Sequence, residues 1–163
     1  HLLTGVELDS LVGPGTGLDA AGVAQKNQIL QQALALHNLS SPNAHQVLRY
    51  FAGFEMAMIA GAALAAAAAG MLILVDGFIA TAAVLAAVKI NSNTQSFCVF
   101  CHASAEPGHK HLLAHLQAKG LLDLGLRLGE GSGAALAFPL IKSAVRFINS
   151  MASFETAGVS RAI

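Results

Sequence analysis

The sequence predicts an α/β fold built on parallel strands, and three observations carry that prediction. Helix-length segments alternate with short apolar runs, the pattern expected of an α/β layer. Two of those runs, Met71-Leu72-Ile73-Leu74-Val75 and Phe97-Cys98-Val99-Phe100, are apolar throughout, as strands buried on both faces are. Each run leads into a glycine-bearing or polar turn: Asp76-Gly77 after the first and His102 to Gly108 after the second. Leu11-Val12 leads in the same way into Gly13-Pro14-Gly15-Thr16-Gly17. In a parallel sheet such ends lie along one edge, where ligands bind.

The elements follow in order. Asp19 can cap a helix running to about His37, although its apolar positions Val23, Leu30, Ala33, Leu34 and Leu36 keep only loosely to one face. Ser40-Ser41-Pro42 reads as a linker and helix start, with a short helix from Ala44 to about Tyr50. Gly53 separates that helix from an Ala-rich helix over about 54–69. Gly70 stops it before the strand at 71–75. Phe78 to Lys89 is again helical, Asn91 to Ser96 a polar loop, and Phe97 to Phe100 a buried strand. Pro107 suits the first turn of a helix reaching about Ala118. Leu121 to Leu124 is a short strand or extended segment before the turn at Gly129–Gly133, and a last helix covers about Ala134 to Met151. No internal repeat breaks the chain into units, so a single domain body is expected over 1–151, with 152–163 as a tail.

Composition narrows the class of function. The chain has 163 residues, 55% apolar and 11% charged, with a formal net charge of zero. Complete soluble domains carry about 25% charged residues, so part of this surface is expected to be covered by a second subunit, by more chain or by lipid. Zero net charge without a basic stripe argues against nucleic acid. Met56 to Val75 is long enough for a membrane span, yet it is mostly alanine, is interrupted by Gly61 and Gly70, and is bracketed by Glu55 and Asp76. It therefore reads as helix plus strand, with no membrane partner. The chain opens on His1 with no signal-peptide pattern, which suggests a fragment of a longer product. Two cysteines make no disulfide framework and favour a reducing compartment, hence the cytoplasm.

Three motifs compete for chemistry. Cys98-Val99-Phe100-Cys101-His102 matches a C-x-x-C-H haem attachment pattern, with His109, His111 and His115 close behind as candidate zinc ligands. A buried strand over Phe97–Phe100 makes Cys98 an apolar filler instead. No metal and no cofactor are expected. Gly13 to Gly17 is only loosely like a phosphate-cradling loop, lacking both the Walker lysine and the Rossmann spacing. Ser104-Ala105-Glu106-Pro107-Gly108 is a helix cap, or a hydroxyl and backbone N–H groups aimed at a phosphate or sugar oxygen. The most informative stretch is Arg127-Leu128-Gly129-Glu130-Gly131-Ser132-Gly133, which isolates one carboxylate among glycines directly before a helix. Glu130 is either a first-turn charge that stabilises the helix or a general base at the floor of a pocket.

These stretches resemble one family: the nicotinate-nucleotide–dimethylbenzimidazole phosphoribosyltransferases, which make the lower-ligand nucleotide of cobalamin. Leu74-Val75-Asp76-Gly77-Phe78-Ile79-Ala80-Thr81-Ala82-Ala83, Ser104 to His109 and Arg127 through Ala137 carry the match. Gly53-Phe54-Glu55 before the Ala-rich helix, and Gly13 to Gly17 followed by Lys26, fit as well. The resemblance spans essentially the whole chain as the C-terminal half or so of such an enzyme.

It implies a Rossmann-like parallel sheet with helices on both faces, a small helical domain to which the tail could belong, and a homodimer. It implies transfer of phosphoribose from nicotinate mononucleotide to 5,6-dimethylbenzimidazole, giving α-ribazole 5'-phosphate and nicotinate. By position, Glu130 matches the family's general base. Gly13, Gly15, Lys26, Asp76, Gly77, Ser104, Leu128, Gly129, Ser132 and Gly133 fall in segments that resemble those lining its substrate pocket. The chemistry is compatible: a benzimidazole N–H is a poor acid, and an apolar glycine-lined pocket makes a carboxylate more basic. The family's upstream glycine-rich loop and much of its base pocket are not found within residues 1–163. The alternative is therefore an inactive fragment kept as a nucleotide-binding or assembly module.

Overall fold

Helix α5 (Phe78–Ile90) organises the molecule, because its sequence leaves it apolar on every side. Thr81, Ala83, Val84, Leu85, Ala86 and Ala87 are all buried along it, as expected of a helix enclosed by other elements. The computed structural model describes residues 1–15 and 17–159. Around α5 lie α1 (Leu8–Leu11), α3 (Ala44–Phe51), α4 (Phe54–Ala68), the strands β1 (Ile73–Val75) and β2 (Cys98–Phe100), and α6 (Pro107–His115). Helices α2 (Ala20–His37) and α7 (Ser132–Ser150) complete the order. Ala60 and Ala63 of α4 pack with Val84 and Leu85, and Val75, Phe100, Leu112, Leu113 and Leu116 close the core. Alanines at the α4–α5 contact let two backbones approach closely, which is the physical use of the Ala-rich run.

The strands pair in parallel, with Ile73 opposite Cys98 and Val75 opposite Phe100. A parallel bridge between His102 and Leu122 continues the layer, fastened by Leu121 N donating to the Phe100 carbonyl at 2.8 Å and Ala103 N to the Leu122 carbonyl at 2.7 Å. The fold is thus α/β with a parallel sheet and packed helices, as the sequence predicts. Among the described residues no helix is long and apolar enough to cross a membrane.

Local caps explain several boundaries. Asp19 caps α2 by accepting from Gly22 N at 2.8 Å, and α2 ends on left-handed Asn38. Asn43 and Gln46 form a capping box at the start of α3. Three expectations need correction. Leu11 closes a helical turn rather than a strand. The expected loop at Asn91–Ser96 is mostly a 3₁₀ turn over Ser92–Phe97, started by the Asn91 side chain. Helix α6 ends at His115 and not near Ala118, because Gln117 turns left-handed two residues later. Residues 121–124 take the extended alternative, with one bridge and no full strand. Of the tail, residues 160–163 lie outside the described residues, as does Thr16 in the first glycine loop.

Candidate active site at the carboxyl edge of the sheet

Both strands run out toward the same edge. β1 delivers Asp76 and Gly77, and the chain after β2 delivers Cys101, His102, Ala103 and Ser104. Asp76 does not stand free there. Its Oδ2 accepts from Gly131 N at 3.1 Å and its Oδ1 from Ala134 N at 3.0 Å. Helix α7 begins after Gly131, which has no side chain to cap it. The first N–H groups of a helix need an acceptor, and here a carboxylate from β1 supplies it across more than fifty residues.

The turn so held is unusual. Gly129, Glu130 and Gly131 all have positive φ, at 80°, 55° and 80°. Glycine takes this conformation freely, whereas a residue with a Cβ loses about 1–2 kcal/mol. A glutamate kept there, with a glycine on either side, is the kind of strained backbone that clusters at functional sites. Its side chain is exposed in this chain, so the apolar enclosure expected around it is not supplied by the described residues. Leu128 beside it is 75% exposed. The Ser132 hydroxyl is buried without a partner among the described residues.

Beneath the turn sits His102, 1% exposed, with its Nδ1 3.9 Å from Asp76 Oδ1. Gly77 and Gly133 both close on this ring: a Cβ at Gly77 would come 3.0 Å from His102 Cε1, and one at Gly133 2.6 Å. The same reason accounts for Gly13, where a Cβ would meet Glu106 Oε2 at 2.6 Å and Pro107 Cδ at 2.9 Å. Gly13, Gly77 and Gly133 are therefore glycines of close approach. Gly15 differs, turning with φ 57° and no neighbour over its Cα. Lys26 reaches back from α2 so that its Nζ donates to the Gly13 carbonyl at 3.3 Å, bringing an ammonium to the first glycine loop.

His109 is a structural histidine. Its Nδ1 accepts from Ser104 N at 2.8 Å, so the proton sits on Nε2, 3.0 Å from Thr81 Oγ1. Burial, reinforced by the neighbouring His102, lowers its pKa to about 4 against a smaller opposing pull from Asp76. Ser104 in turn accepts from Glu106 N at 3.3 Å through its hydroxyl, which leaves that O–H able to donate outward. Burial raises the Cys98 thiol, and burial with the nearby Asp76 charge pushes Cys101 up to about 11. Both are poor thiolates. No group of three or more His, Cys, Asp or Glu among the described residues is placed to hold a metal.

The edge thus gathers the Gly13, Asp76–Gly77, Ser104 and Leu128–Gly133 segments, with Lys26 tethered to the first. Sequence reasoning weighed His102 and His109 only as haem or zinc ligands and gave Thr81 no role, whereas in the structure the three support the turns from below. Their spacing, 21 and 28 positions apart from Thr81, carries no local signal; only the packing of α5 and α6 unites them.

Comparison with known proteins supplies a context for this edge. A family model described as a phosphoribosyltransferase matches residues 1–159. A Shewanella piezotolerans protein named nicotinate-nucleotide–dimethylbenzimidazole phosphoribosyltransferase is 53% identical over 158 residues, which is 97% of this chain and 46% of that protein. A protein of the same name from Dechloromonas aromatica is 55% identical over 162 residues, 98% of this chain and 47% of its own length. The crystal structure of CobT from Thermus thermophilus superposes with a TM-score of 0.92 at 40% identity, covering 98% of this chain and 47% of that one. The chain spans about half the length of the relatives it matches.

Proposed function

This chain belongs to the phosphoribosyltransferase family whose model spans residues 1–159, and from that membership we propose that it forms part of an enzyme moving phosphoribose from nicotinate mononucleotide to 5,6-dimethylbenzimidazole. The observation that carries the reading is the Gly129-Glu130-Gly131 turn. It presents a single carboxylate in a strained conformation at the sheet edge where Asp76 and Ser104 also emerge. In the proposed reaction one benzimidazole nitrogen attacks the ribose anomeric carbon. The bond from that carbon to nicotinate breaks, its electron pair staying on the nicotinate nitrogen, and the proton on the other benzimidazole nitrogen passes to Glu130.

Glu130 is the proposed general base. Gly13, Gly15, Lys26, Ser104, Leu128, Gly129, Ser132 and Gly133 form the proposed substrate-binding edge, and Asp76 and Gly77 stand in the segment that supports it. Lys26 and the outward Ser104 hydroxyl are its donors for phosphate or ribose oxygens. The anomeric carbon becomes more cationic as nicotinate leaves, so positioning and negative potential serve it better than a nucleophile. In this reading 1–151 is the C-terminal part of the catalytic domain, 152–163 joins a small helical domain, and the enzyme is a cytoplasmic homodimer.

The test is direct. The full-length protein carrying these residues is incubated with nicotinate mononucleotide and dimethylbenzimidazole, and the products are separated by chromatography. A peak of α-ribazole 5'-phosphate is the expected result; its absence from a folded full-length protein would sink the assignment. The isolated 163-residue chain, run beside it, tests the alternative of an inactive nucleotide-binding or assembly module.

A further inference from the structure

We infer that Asp76 is the positioning residue for Glu130, acting on the reaction through the shape of the Gly129–Gly131 turn. This rests on Glu130 being the base in the proposed reaction. Three observations lead to it. Helix α7 has no side-chain cap of its own, yet its first turn is anchored because Asp76 takes N–H bonds from Gly131 and from Ala134. Those two donors lie on either side of the helix start, and Glu130 immediately precedes the first of them. Glu130 itself is held at φ 55°, a conformation that relaxes unless something outside the turn enforces it.

Asp76 is well placed to enforce it. It lies one residue beyond β1, whose last residue, Val75, is in the buried core, and its own side chain is only 15% exposed. His102 backs the assembly, buried between Gly77 and Gly133, so the turn cannot sink toward the sheet. The carboxylate sets the height and His102 the floor. Because each Asp76 oxygen already accepts from the backbone, its first effect is on where the Glu130 carboxylate stands. A shift of about 1 Å at a reacting group costs up to about 100-fold in rate.

A double-mutant cycle on the full-length enzyme decides the matter. Asp76→Asn leaves one acceptor and turns an amide donor toward one of the two N–H groups. Alone it is expected to lower kcat by about 10- to 100-fold, with the KM for nicotinate mononucleotide changed less than about twofold. Glu130→Gln alone is expected to lower kcat by about 100-fold or more. If Asp76 works through Glu130, the double variant matches Glu130→Gln within about twofold, since nothing remains to be positioned. Multiplying losses would overturn the inference and make Asp76 an independent substrate contact or a general structural residue; so would normal kcat in Asp76→Asn. Near-normal activity of Glu130→Gln would instead sink the base assignment itself, a distinct outcome. Should Asp76→Asn fail to fold, Asp76→Glu replaces it in the same cycle, since it keeps the charge and both acceptor oxygens but moves them by one methylene relative to Gly131 N and Ala134 N.

Discussion

At the scale of single residues, the two readings of Glu130 separate by measurement. Glu130→Gln keeps the side chain's shape but cannot accept a proton. As a general base, Glu130 would carry about 10²–10⁴-fold of turnover, with nicotinate mononucleotide binding nearly unchanged, as steady-state kinetics and calorimetry would read. As a helix-start charge alone it would cost about 0.3–1 kcal/mol of stability and leave turnover intact. His109 gives a second residue-scale prediction, in pH. Its folded pKa lies near 4, below the ordinary value of 6.5, so the unfolded chain binds the proton more readily. Stability that is fully present above pH 6.5 is therefore lost as pH falls toward 4, at up to about 1.4 kcal/mol per pH unit. Urea midpoints between about pH 7.5 and 4.5 should show that slope, and His109→Gln, which cannot titrate, should lose it.

The element scale concerns how α7 meets the sheet. Its first turn sits so close to His102 that Gly133 has no room for a methyl group, and the ring it would strike is fully buried. Gly133→Ala is expected to destabilise by about 1–3 kcal/mol or more, through overpacking at a site that cannot relax. Thermal unfolding would register this, and unchanged stability would show that α7 can lift off its seat. Gly61, in contrast, has nothing over its Cα and lies mid-helix, so alanine there should stabilise by a few tenths to about 1 kcal/mol. The same element explains why the start of α7 was legible and its cap was not. Gly131-Ser132-Gly133 before an apolar run announces a helix, but a missing local cap says nothing about which distant carboxylate replaces it.

For the whole molecule, the telling feature is what stays uncovered. Beyond Ala137, α7 buries no residue, and it exposes Phe138, Leu140, Phe147 and Ile148, the last at 85%. Phe54 at 91% and Leu36 at 80% project from α4 and α2. Apolar area on this scale is normally buried against another surface, consistent with a chain that spans about half of its relatives' length. The full-length protein is expected to sediment as a homodimer at micromolar concentration, as the zero net charge and exposed apolar faces favour. A stable monomer would argue that the remaining chain alone provides the cover.

Order and type of elements were determined by local sequence, because helix and strand periods, caps and glycine stops act over a few residues. Asp19, Asn43, Pro107 and the Ala-rich run each mark their elements without help from the rest of the chain. Segments too short for a period misled: Leu11-Val12 is as compatible with a helical turn as with a strand, and packing of α1 on α6 decided it. Motif spacing placed Asp76 and Ser104 on one edge, since parallel strands end together, whereas packing on Glu106 and Pro107 brings Gly13 there and the Asp76 hydrogen bonds bring the Glu130 turn. Tertiary structure alone decided what each residue does there. It turned His109 into a neutral core histidine, made Gly77 and Gly133 walls around His102, and gave Asp76 to the start of α7. The physical reason is range: a hydrogen bond between residues 58 positions apart leaves no periodicity, and burial of a ring between two glycines depends on elements that meet only when the chain is folded.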